Sequence, residues 1–378
     1  MRKICVVVTA RTSYTKFKPV LESLRIRGDT HIQVVCAASA VLERFGQLDV
    51  LIENDGFEVV DRIHCLLESE LPLGMAKSTS MLLNDCSAAF ARLRPDVVAV
   101  MADRFEILAP SIAAAYQNIP LAHVQGGEST GNIDQKVRHA VTKLADLHFP
   151  ATERAAAMLQ KLEAHPERIF LTGCPSLDIA APIKQKKQLS FDVFKQQLGV
   201  GPRLNISTGY LIVLQHPVTN EFAASRQQVE ETLHAVERSG IPAFWFWPNA
   251  DAGHGGLSKA LRVYRENRQP DNIYFIKNLP PDQFLELAYF SRGVVGNSSV
   301  AIRECSFLGV PAINIGNRQE NRERGPNVID VPPDCGAIEL AIQQLKGRVA
   351  GSNLYGNGDA GRRIAEILAT IDLSFYRP

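Results

Sequence analysis

The sequence predicts an α/β protein with two Rossmann-like, doubly wound domains that face a common cleft. Apolar runs of strand length alternate with helical patterns along almost the whole chain, which is typical of parallel sheets covered by helices. The chain has 378 residues, whereas an ordinary domain has roughly 100–200. Polar clusters follow several of the apolar runs, at the carboxyl ends of strands, where ligands bind in such sheets.

The first half of the chain starts with a strand at residues 3–9, KICVVVT, a continuous apolar run expected of a strand buried on both faces. Helices are predicted from Tyr14 to Arg27 and at 73–93. Further strands are predicted at 32–37, 57–62, 96–101, 120–124 and 168–172.

Residues 181–209 interrupt this alternation with a lysine cluster and a Gly-Pro turn, and we interpret them as the crossing between domains. A second alternation begins at 210–214, with strands near 241–246, 272–276, 292–296 and 311–315. The predicted boundaries are therefore 1–180 for the first domain and 181–358 for the second domain. An amphipathic helix within 359–378 is expected to pack back on the first domain.

The composition excludes several function classes. The chain is 46% hydrophobic and 21% charged with a net charge of +1, so no strong field favours nucleic acid or an anionic membrane. No apolar run approaches the roughly 20 residues of a membrane span. The apolar N-terminal run has no small-residue cleavage site, which favours a strand over a signal peptide. We expect a cytoplasmic protein without nucleic-acid or membrane partners.

The reactive residue types show no pattern of a metal or redox cofactor site. The seven cysteines are scattered, odd in number and without a CxxC pair, as in a cytosolic protein with reduced thiols. The nine histidines show no HxxxH or HExxH spacing. The GxGxxG fingerprint of dinucleotide binding is absent after the first strand. We expect no metal and no cofactor.

Three polar clusters are predicted at strand ends of the first domain. Arg11 follows the first strand, with Thr15 one turn later; a cation there is either a solvated loop residue or the partner of an anionic ligand. Asp103 and Arg104 follow the strand at 96–101, where Asp103 can cap a helix or act in catalysis.

The third cluster consists of Gln125, Glu128, Asp134 and Arg138. Asp134 and Arg138 can pair at i,i+4 spacing, and the Gly126-Gly127 step suggests close approach of a ligand.

The second domain carries a more specific signal. Ser298 and Ser299 follow the strand at 292–296, and a helix is predicted from Val300 to Phe307. Hydroxyls and unsatisfied N–H groups at a helix N-terminus form a ready anion site, with a diphosphate as the natural occupant. Glu304, on the same helix, is placed to accept hydrogen bonds from ribose hydroxyls.

Two further polar residues end strands of the second domain. His216 follows the strand from Leu211 to Gln215, directly before Pro217, and is either a ligand contact or a cap. Arg318 follows the strand at 311–315 and supplies another cation beside the nucleotide.

Seven motifs in order resemble the UDP-N-acetylglucosamine 2-epimerase family, whose members have the glycosyltransferase-B fold. They are ARTSYTKFKPV, ADRFEILA, HVQGGESTGNIDQKVRHAVTKLADLHF, TGCPSLD, QHPVT, FWPNADAG and VGNSSVAIRECSFLGVPAINIGNRQENRERGPNV. The GGExxGxID-x-x-x-RH pattern resembles the hydrolysing branch, which makes N-acetylmannosamine for sialic-acid-type sugars. The resemblance implies a UDP-sugar substrate, UDP as a product and a homo-oligomer, either a dimer or a tetramer. It also implies that the first domain carries the sugar and the chemistry and that the second domain binds UDP.

The resemblance also implies a two-stage reaction and a set of residues for it. A base removes the C2 proton as UDP leaves C1, which gives a 2-acetamidoglucal, and water then adds to release the 2-epimer. The acid/base carboxylates of the family match Asp103 and Asp134. The departing diphosphate matches Arg11, Ser298, Ser299, Arg318 and His216. Nucleotide and sugar contacts match Arg104, Asn249 and Glu304.

Gln125 is a departure from the family, because many members have a catalytic Glu at this position. An amide takes no proton at neutral pH, so that role is expected to shift to Asp103, Asp134, Glu128 or water, and Gln125 is then free to bind the sugar. We expect UDP-N-acetylglucosamine as the substrate, and the departure at Gln125 makes a diacetamido sugar, UDP-N,N'-diacetylbacillosamine, the alternative. A retaining glycosyltransferase of the same fold and a non-catalytic nucleotide-sugar-binding regulator are two competing hypotheses for the function.

Overall fold

A computed structural model describes residues 1–67, 72–129, 133–195, 199–218, 224–248 and 254–374. The strands are β1 Arg2–Val8, β2 Thr30–Ala37, β3 Val59–Ile63, β4 Val97–Met101, β5 Leu121–Val124, β6 Leu147–Phe149, β7 Gly199–Val200, β8 Leu211–Leu214, β9 Ala243–Phe246, β10 Ile273–Ile276, β11 Gly293–Gly296, β12 Ala312–Ile315 and β13 Val328–Val331. The α-helices are α1 Arg11–Arg27, α2 Leu48–Asn54, α3 Pro72–Leu93, α4 Leu108–Tyr116, α5 Ile133–Leu144, α6 Glu153–Lys161, α7 Ser176–Ala180, α8 Ser225–Arg238, α9 His254–Arg268, α10 Pro281–Tyr289, α11 Glu304–Leu308, α12 Cys335–Gln343 and α13 Ala360–Thr370.

The described chain divides into two compact units. The first unit holds Met1–Ser129, Ile133–Asp178 and the chain from Gly356 onward, and the second unit holds Ile179–Tyr355. Among the described residues, no helix is both long and apolar enough to cross a membrane.

The first unit is built on a parallel sheet with the order β3-β2-β1-β4-β5-β6. The central strand β4 is apolar throughout and fully buried, because both faces of the sheet are covered there. Ile4, Val6 and Val8 of β1 belong to one buried cluster, while Cys5 and Val7 belong to the cluster on the opposite face, as the alternation of side chains along a strand requires. The strand order reverses between β1 and β4, which is the position where doubly wound sheets bind ligands.

The last helix, α13, is part of the core of the first unit. Its apolar residues Ile364, Ala365 and Leu368 share a buried cluster with Phe17 and Val20 of α1.

The start of α13 is also fixed to the first unit. A Cβ at Gly361 would lie 2.6 Å from Cβ of Pro19, so only glycine allows this close approach of the two helices. The carboxylate of Asp178 accepts hydrogen bonds from the N–H groups of Ala360 and Gly361 at 3.0 and 2.7 Å, and it thereby satisfies the first donors of the helix.

The second unit is built on a sheet with the order β13-β12-β11-β8-β9-β10-β7. Its strands are parallel except β7, which pairs antiparallel with β10. The strand order reverses between β8 and β11, so the residues that follow these two strands lie at the ligand-binding edge of this sheet.

The α/β class with two doubly wound, largely parallel sheets is confirmed, but some predicted elements are wrong. The predicted strand at 168–172 is only an isolated bridge between Ile169 and His148. The strand in that part of the sheet is β6, which is three residues long and gives too short an apolar run to detect. Strands β7 and β13 were not predicted either, because β7 has two residues and β13 is only half-buried.

Candidate functional site

Arg11 opens α1 directly after β1. Its guanidinium makes no hydrogen bond or ion pair with any described side chain, and burial lowers its pKa. The first turn of α1 contains no acidic residue, so an unpaired cation lies at the positive end of a 17-residue helix. This arrangement favours an anionic ligand. Thr15 lies one turn later and donates to the carbonyl of Arg11 at 3.0 Å.

The end of β4 and the helix α5 are joined by an ion pair. Arg138, of which 1% is exposed, donates through Nη2 to Oδ2 of Asp103 and through Nη1 to the carbonyl oxygen of Glu128 at 2.7 Å. A buried guanidinium requires such partners. Arg138 therefore fixes the position of Asp103 relative to the segment that precedes α5.

Asp134 lies in the first turn of α5, because this helix starts at Ile133. A carboxylate at this end of a helix is stabilised by the helix dipole. The Asp134 side chain is half-buried, and Glu128 is buried. The sequence-predicted carboxylates of the first unit are thus all held on the segments that follow β4 and β5.

Arg104 has a structural partner that the sequence analysis missed. Its guanidinium forms two hydrogen bonds with the carboxylate of Glu106, at 2.8 and 3.2 Å, and Glu106 is only 1% exposed. The two residues are i and i+2 across a 3-10 turn, Phe105–Ile107, so no helical spacing rule marks the pair. The charge of Arg104 is therefore paired, and Glu106 fixes the orientation of its guanidinium.

Gln125 follows β5 with a φ of +64°, a region that non-glycine residues seldom adopt. Its Oε1 accepts a hydrogen bond from Nζ of Lys16 at 2.7 Å, and its Nε2 donates to Sγ of Cys174. The side chain is 1% exposed. Both ends of the amide are therefore already bonded inside the first unit.

His123, two residues before Gln125, belongs to the core. Its Nε2 donates to the carbonyl of Ala102 at 2.8 Å, and its Nδ1 accepts from Oγ1 of Thr142 at 3.2 Å. A carbonyl only accepts, so the ring is the Nε2–H tautomer. Burial lowers the pKa of His123 to about 4.

In the second unit, Asn297 connects the ends of β8 and β11. Its Oδ1 accepts from the N–H of His216 and its Nδ2 donates to the carbonyl of His216, both at 2.8 Å. The step before it requires glycine, because Gly296 has a φ of +135° and a Cβ there would lie 2.0 Å from the carbonyl oxygen of Leu214.

Ser298 and Ser299 begin a 3-10 turn that ends at Ala301. Neither hydroxyl is bonded to a described residue, and the first N–H groups of a helical turn have no acceptor within it. Arg318 donates through Nη1 to the carbonyl of Asn297 at 3.2 Å, so its guanidinium lies against this turn. Hydroxyls, N–H groups and a cation together favour an anion.

Glu304 is the first residue of α11, so the helix predicted from Val300 to Phe307 starts four residues later than expected. The chain forms a short 3-10 turn before α11. Glu304 is 5% exposed, and its Oε2 is buried without a hydrogen-bond partner among the described residues. A buried carboxylate oxygen of this kind requires a donor, which a ligand hydroxyl can supply.

The carbonyl of Asn297 has a second donor, which the sequence analysis also missed. Gln319 is 1% exposed and donates through Nε2 to this carbonyl at 2.9 Å, while its Oε1 accepts from Arg322 at 2.6 Å. A glutamine among charged residues after a strand gives no signal of such a role. Asn249, a predicted contact, lies outside the described residues.

The first-unit cluster consists of Arg11, Lys16, Asp103, Gln125, Glu128, Asp134 and Arg138. The second-unit cluster consists of His216, Asn297, Ser298, Ser299, Glu304, Arg318 and Gln319. Among the described residues, no three His, Cys, Asp or Glu side chains lie close enough together to hold a metal ion.

The chain is similar over nearly its whole length to known proteins. The family model described as UDP-N-acetylglucosamine 2-epimerase matches residues 22–369. A UDP-N,N'-diacetylbacillosamine 2-epimerase (hydrolyzing) of Legionella pneumophila is 32% identical over 375 residues, which cover 99% of this chain and 97% of that protein. A UDP-N-acetylglucosamine 2-epimerase of Neisseria meningitidis is 27% identical over 373 residues, which cover 97% and 95%.

Solved structures show the same fold. The crystal structure of a Neisseria meningitidis UDP-GlcNAc 2-epimerase bound to UDP-GlcNAc has a TM-score of 0.78 at 18% identity, with 97% of this chain and 99% of that chain covered. The chain thus has the two-unit α/β fold of the glycosyltransferase-B type. It belongs to the UDP-N-acetylglucosamine 2-epimerase family, and the predicted family is confirmed.

Proposed function

We propose that the chain is a hydrolysing UDP-N-acetylglucosamine 2-epimerase, which converts UDP-N-acetylglucosamine and water into N-acetylmannosamine and UDP for sialic-acid-type sugars. The main support is in the second-unit cluster. One short segment there carries the hydroxyls of Ser298 and Ser299 and the buried Oε2 of Glu304, none of which is bonded to a residue that the structure describes. An anion-binding turn next to a buried hydroxyl acceptor fits a nucleoside diphosphate.

In this proposal the second-unit cluster binds UDP. The N–H groups and hydroxyls of the Ser298 turn bind phosphate oxygens, and Arg318 contributes its charge. Glu304 accepts hydrogen bonds from the ribose hydroxyls. His216 lies beside the turn because Asn297 ties its main chain there.

The first-unit cluster acts on the sugar. A carboxylate, Asp103 or Asp134, takes the proton from C2. The electron pair of the broken C2–H bond forms the C1=C2 double bond, and UDP leaves C1 with the electron pair of the C1–O bond. The C2 proton is not next to a carbonyl and is only weakly acidic, so stabilisation of the departing diphosphate has to supply much of the rate. Arg11 supports this role, because its guanidinium has no partner among the described side chains.

In the second stage, water adds across the double bond. The water oxygen binds C1, and a proton is delivered to C2 from the face opposite to the one that lost it. General acid/base help of this kind typically contributes about 10²–10⁴-fold. Buried Glu128 is a further candidate for a proton carrier, and its main chain is fixed by Arg138.

Gln125 has a supporting role in this mechanism rather than a proton-transfer role. An amide takes no proton at neutral pH, and both ends of this amide are bonded within the first unit. The carboxylates of Asp103, Glu128 and Asp134 have to carry the protons.

A second substrate, UDP-N,N'-diacetylbacillosamine, is favoured by two observations. The Legionella pneumophila relative named for this substrate is 32% identical over 99% of the chain, and Gln125 differs from the Glu of many family members. The reaction class is the same, with elimination of UDP and hydration, and the released sugar is a diacetamido 2-epimer.

The experiment is a two-substrate panel with the purified protein. Each UDP-sugar is supplied alone and in an equal mixture, and UDP and the free sugar are measured by NMR. The proposal expects free N-acetylmannosamine with one UDP per sugar, and a preference for UDP-N-acetylglucosamine in the mixture. Turnover of the diacetamido sugar alone would select the second substrate, and a UDP-linked epimer would contradict hydrolysis.

A further inference from the structure

Gln319 lies in the turn that follows β12, and its side chain contacts the main chain that follows β11. Its Nε2 donates to the carbonyl of Asn297 at 2.9 Å, and its Oε1 accepts from Nη1 of Arg322 at 2.6 Å. A carbonyl only accepts and a guanidinium only donates, so these partners fix which end of the amide faces which. The side chain is 1% exposed, and no other orientation of the amide satisfies both partners.

The main chain of Gln319 is held in place as well. Its carbonyl accepts from Nη1 of Arg324 at 2.8 Å, and the same guanidinium pairs with the carboxylate of Asp330 at 2.9 and 3.0 Å. Asp330 belongs to β13, where it also accepts from Nδ2 of Asn314 in β12 at 2.7 Å. The turn that carries Gln319 is therefore fixed to both of these strands.

The carbonyl that Gln319 holds belongs to the same peptide unit as the N–H of Ser298. This unit is planar and trans, so its C=O and its N–H point in opposite directions. Gln319 and Arg318 both donate to the oxygen, and the N–H of Ser298 therefore points away from them. This N–H donates to no residue that the structure describes, as expected at the start of a helical turn.

We propose that Gln319 is a positioning residue for the phosphate groups of the UDP-sugar. It fixes the plane of the peptide between Asn297 and Ser298, so that the N–H of Ser298 is directed at a phosphate oxygen, and it does not touch the ligand itself. The inference rests on the proposed function, because that function supplies the diphosphate. Arg318 donates to the same carbonyl at 3.2 Å, so the loss of Gln319 leaves the carbonyl paired but its direction less well defined.

The test compares UDP with uridine, which lacks the phosphates, as ligands of the same variants. Gln319→Met keeps the volume but loses the donor, and it is expected to weaken UDP binding about 3- to 10-fold, the range of one neutral hydrogen bond. Its uridine affinity is expected to equal that of the wild type, because uridine has no phosphate for the N–H of Ser298 to bind. Calorimetry measures UDP binding, and ligand-observed NMR measures uridine binding. A general loss of structure would weaken both ligands alike, so the ratio of the two affinities reports on the phosphate site.

Two further variants separate the hydrogen bond from packing. Gln319→Glu keeps the size but places a second acceptor against the carbonyl of Asn297, and it is expected to weaken UDP binding more than Gln319→Met does. Gln33→Met is the matched control, because Gln33 in β2 is 3% exposed and its Nε2 likewise donates to a main-chain carbonyl, that of Leu93, at 3.3 Å. The control is expected to keep both affinities. Thermal unfolding shows which variants fold, and either Gln319 variant alone decides the question if the other does not.

The outcomes separate this inference from the proposed reaction. An unchanged ratio of UDP to uridine affinity in either Gln319 variant, or a fall of the same size in Gln33→Met, would overturn the inference. A lower ratio in the Gln319 variants of a protein that turns over neither UDP-sugar would overturn the proposed reaction alone. A wild-type protein that does not bind UDP would overturn both.

Discussion

The side-chain amide of Asn297 forms two hydrogen bonds with the main chain of His216, one in each direction and both at 2.8 Å. These side-chain hydrogen bonds take the place of main-chain hydrogen bonds at the point where β8 and β11 have ended. The carbonyl of Asn297 meanwhile accepts from Arg318 and Gln319. One residue therefore sets the position of His216, of the Ser298 turn and of a nearby cation.

Asn297→Ala is expected to weaken UDP binding by at least about 10-fold, because the lost amide leaves buried main-chain groups unpaired and frees the turn. The measurement is a calorimetric titration with UDP. Asn272→Ala is the matched control, since its buried amide also bonds to main-chain carbonyls, those of Val236, Glu237 and Ile241. The control is expected to lose stability but to keep its UDP affinity, and equal losses of affinity would contradict the role of Asn297.

Asp103→Asn is expected to lower kcat by about 10²–10⁴-fold, the typical contribution of general acid/base catalysis. The amide keeps the shape and can still accept a hydrogen bond from Arg138, so UDP affinity is expected to change little. The measurements are the rate of free-sugar release and a UDP titration. Asp61→Asn is the control, because Asp61 pairs with the mostly exposed Arg92. A wild-type kcat for Asp103→Asn would leave Asp134 as the base.

Glu304→Ala is expected to abolish discrimination between UDP and an analogue without the ribose 2′- and 3′-hydroxyls. The wild-type protein should bind UDP at least about 10-fold more tightly, because its buried carboxylate oxygen lacks a donor when the hydroxyls are missing. Dissociation constants of both ligands check this. Glu266→Ala, at an exposed position of the second unit, should discriminate like the wild type. If the wild-type protein binds both ligands equally well, Glu304 does not bind the ribose hydroxyls.

His123 is expected to make stability fall as the pH decreases. Its folded-state pKa, about 4, lies below the unfolded value near 6.5, so between these values the unfolded state binds more protons and stability rises with pH. From pH 7 to pH 5 the free energy of unfolding should drop by about 2 kcal/mol through this group. Urea unfolding at several pH values measures it.

The variant His123→Gln should show a smaller drop between pH 7 and pH 5 than the wild type. The exposed His165 supplies the control, and His165→Gln should keep the wild-type pH dependence. An unchanged pH dependence in His123→Gln would show that other groups cause the effect. Buried His148, whose pKa burial lowers to about 3, is the next candidate.

The strand ends of both sheets could be predicted from the sequence for a physical reason. A strand that is buried on both faces has to be apolar throughout, so β1, β4 and β11 are visible as runs, and the first polar residue marks where each run ends. Asp103, Gln125 and Ser298 were found in this way. Short strands such as β6 give no such run, and the strand predicted at 168–172 is wrong.

The partners of these polar residues could not be predicted, because they come from distant parts of the chain. Arg138 was expected beside Asp134 by helical spacing, and its contact with Asp103, 35 residues away, follows only from the fold. The bond between Lys16 and Gln125 spans 109 residues. The two hydrogen bonds between the Asn297 side chain and the main chain of His216 likewise depend on β8 and β11 being neighbours in the sheet.

The most direct test of the central claim is an NMR time course with UDP-N-acetylglucosamine in D₂O. The proposed mechanism removes the C2 proton and returns one from solvent, so free N-acetylmannosamine with deuterium at C2 should appear together with an equal amount of UDP. A product that keeps its original hydrogen at C2, or a free sugar with unchanged configuration at C2, would contradict elimination and hydration.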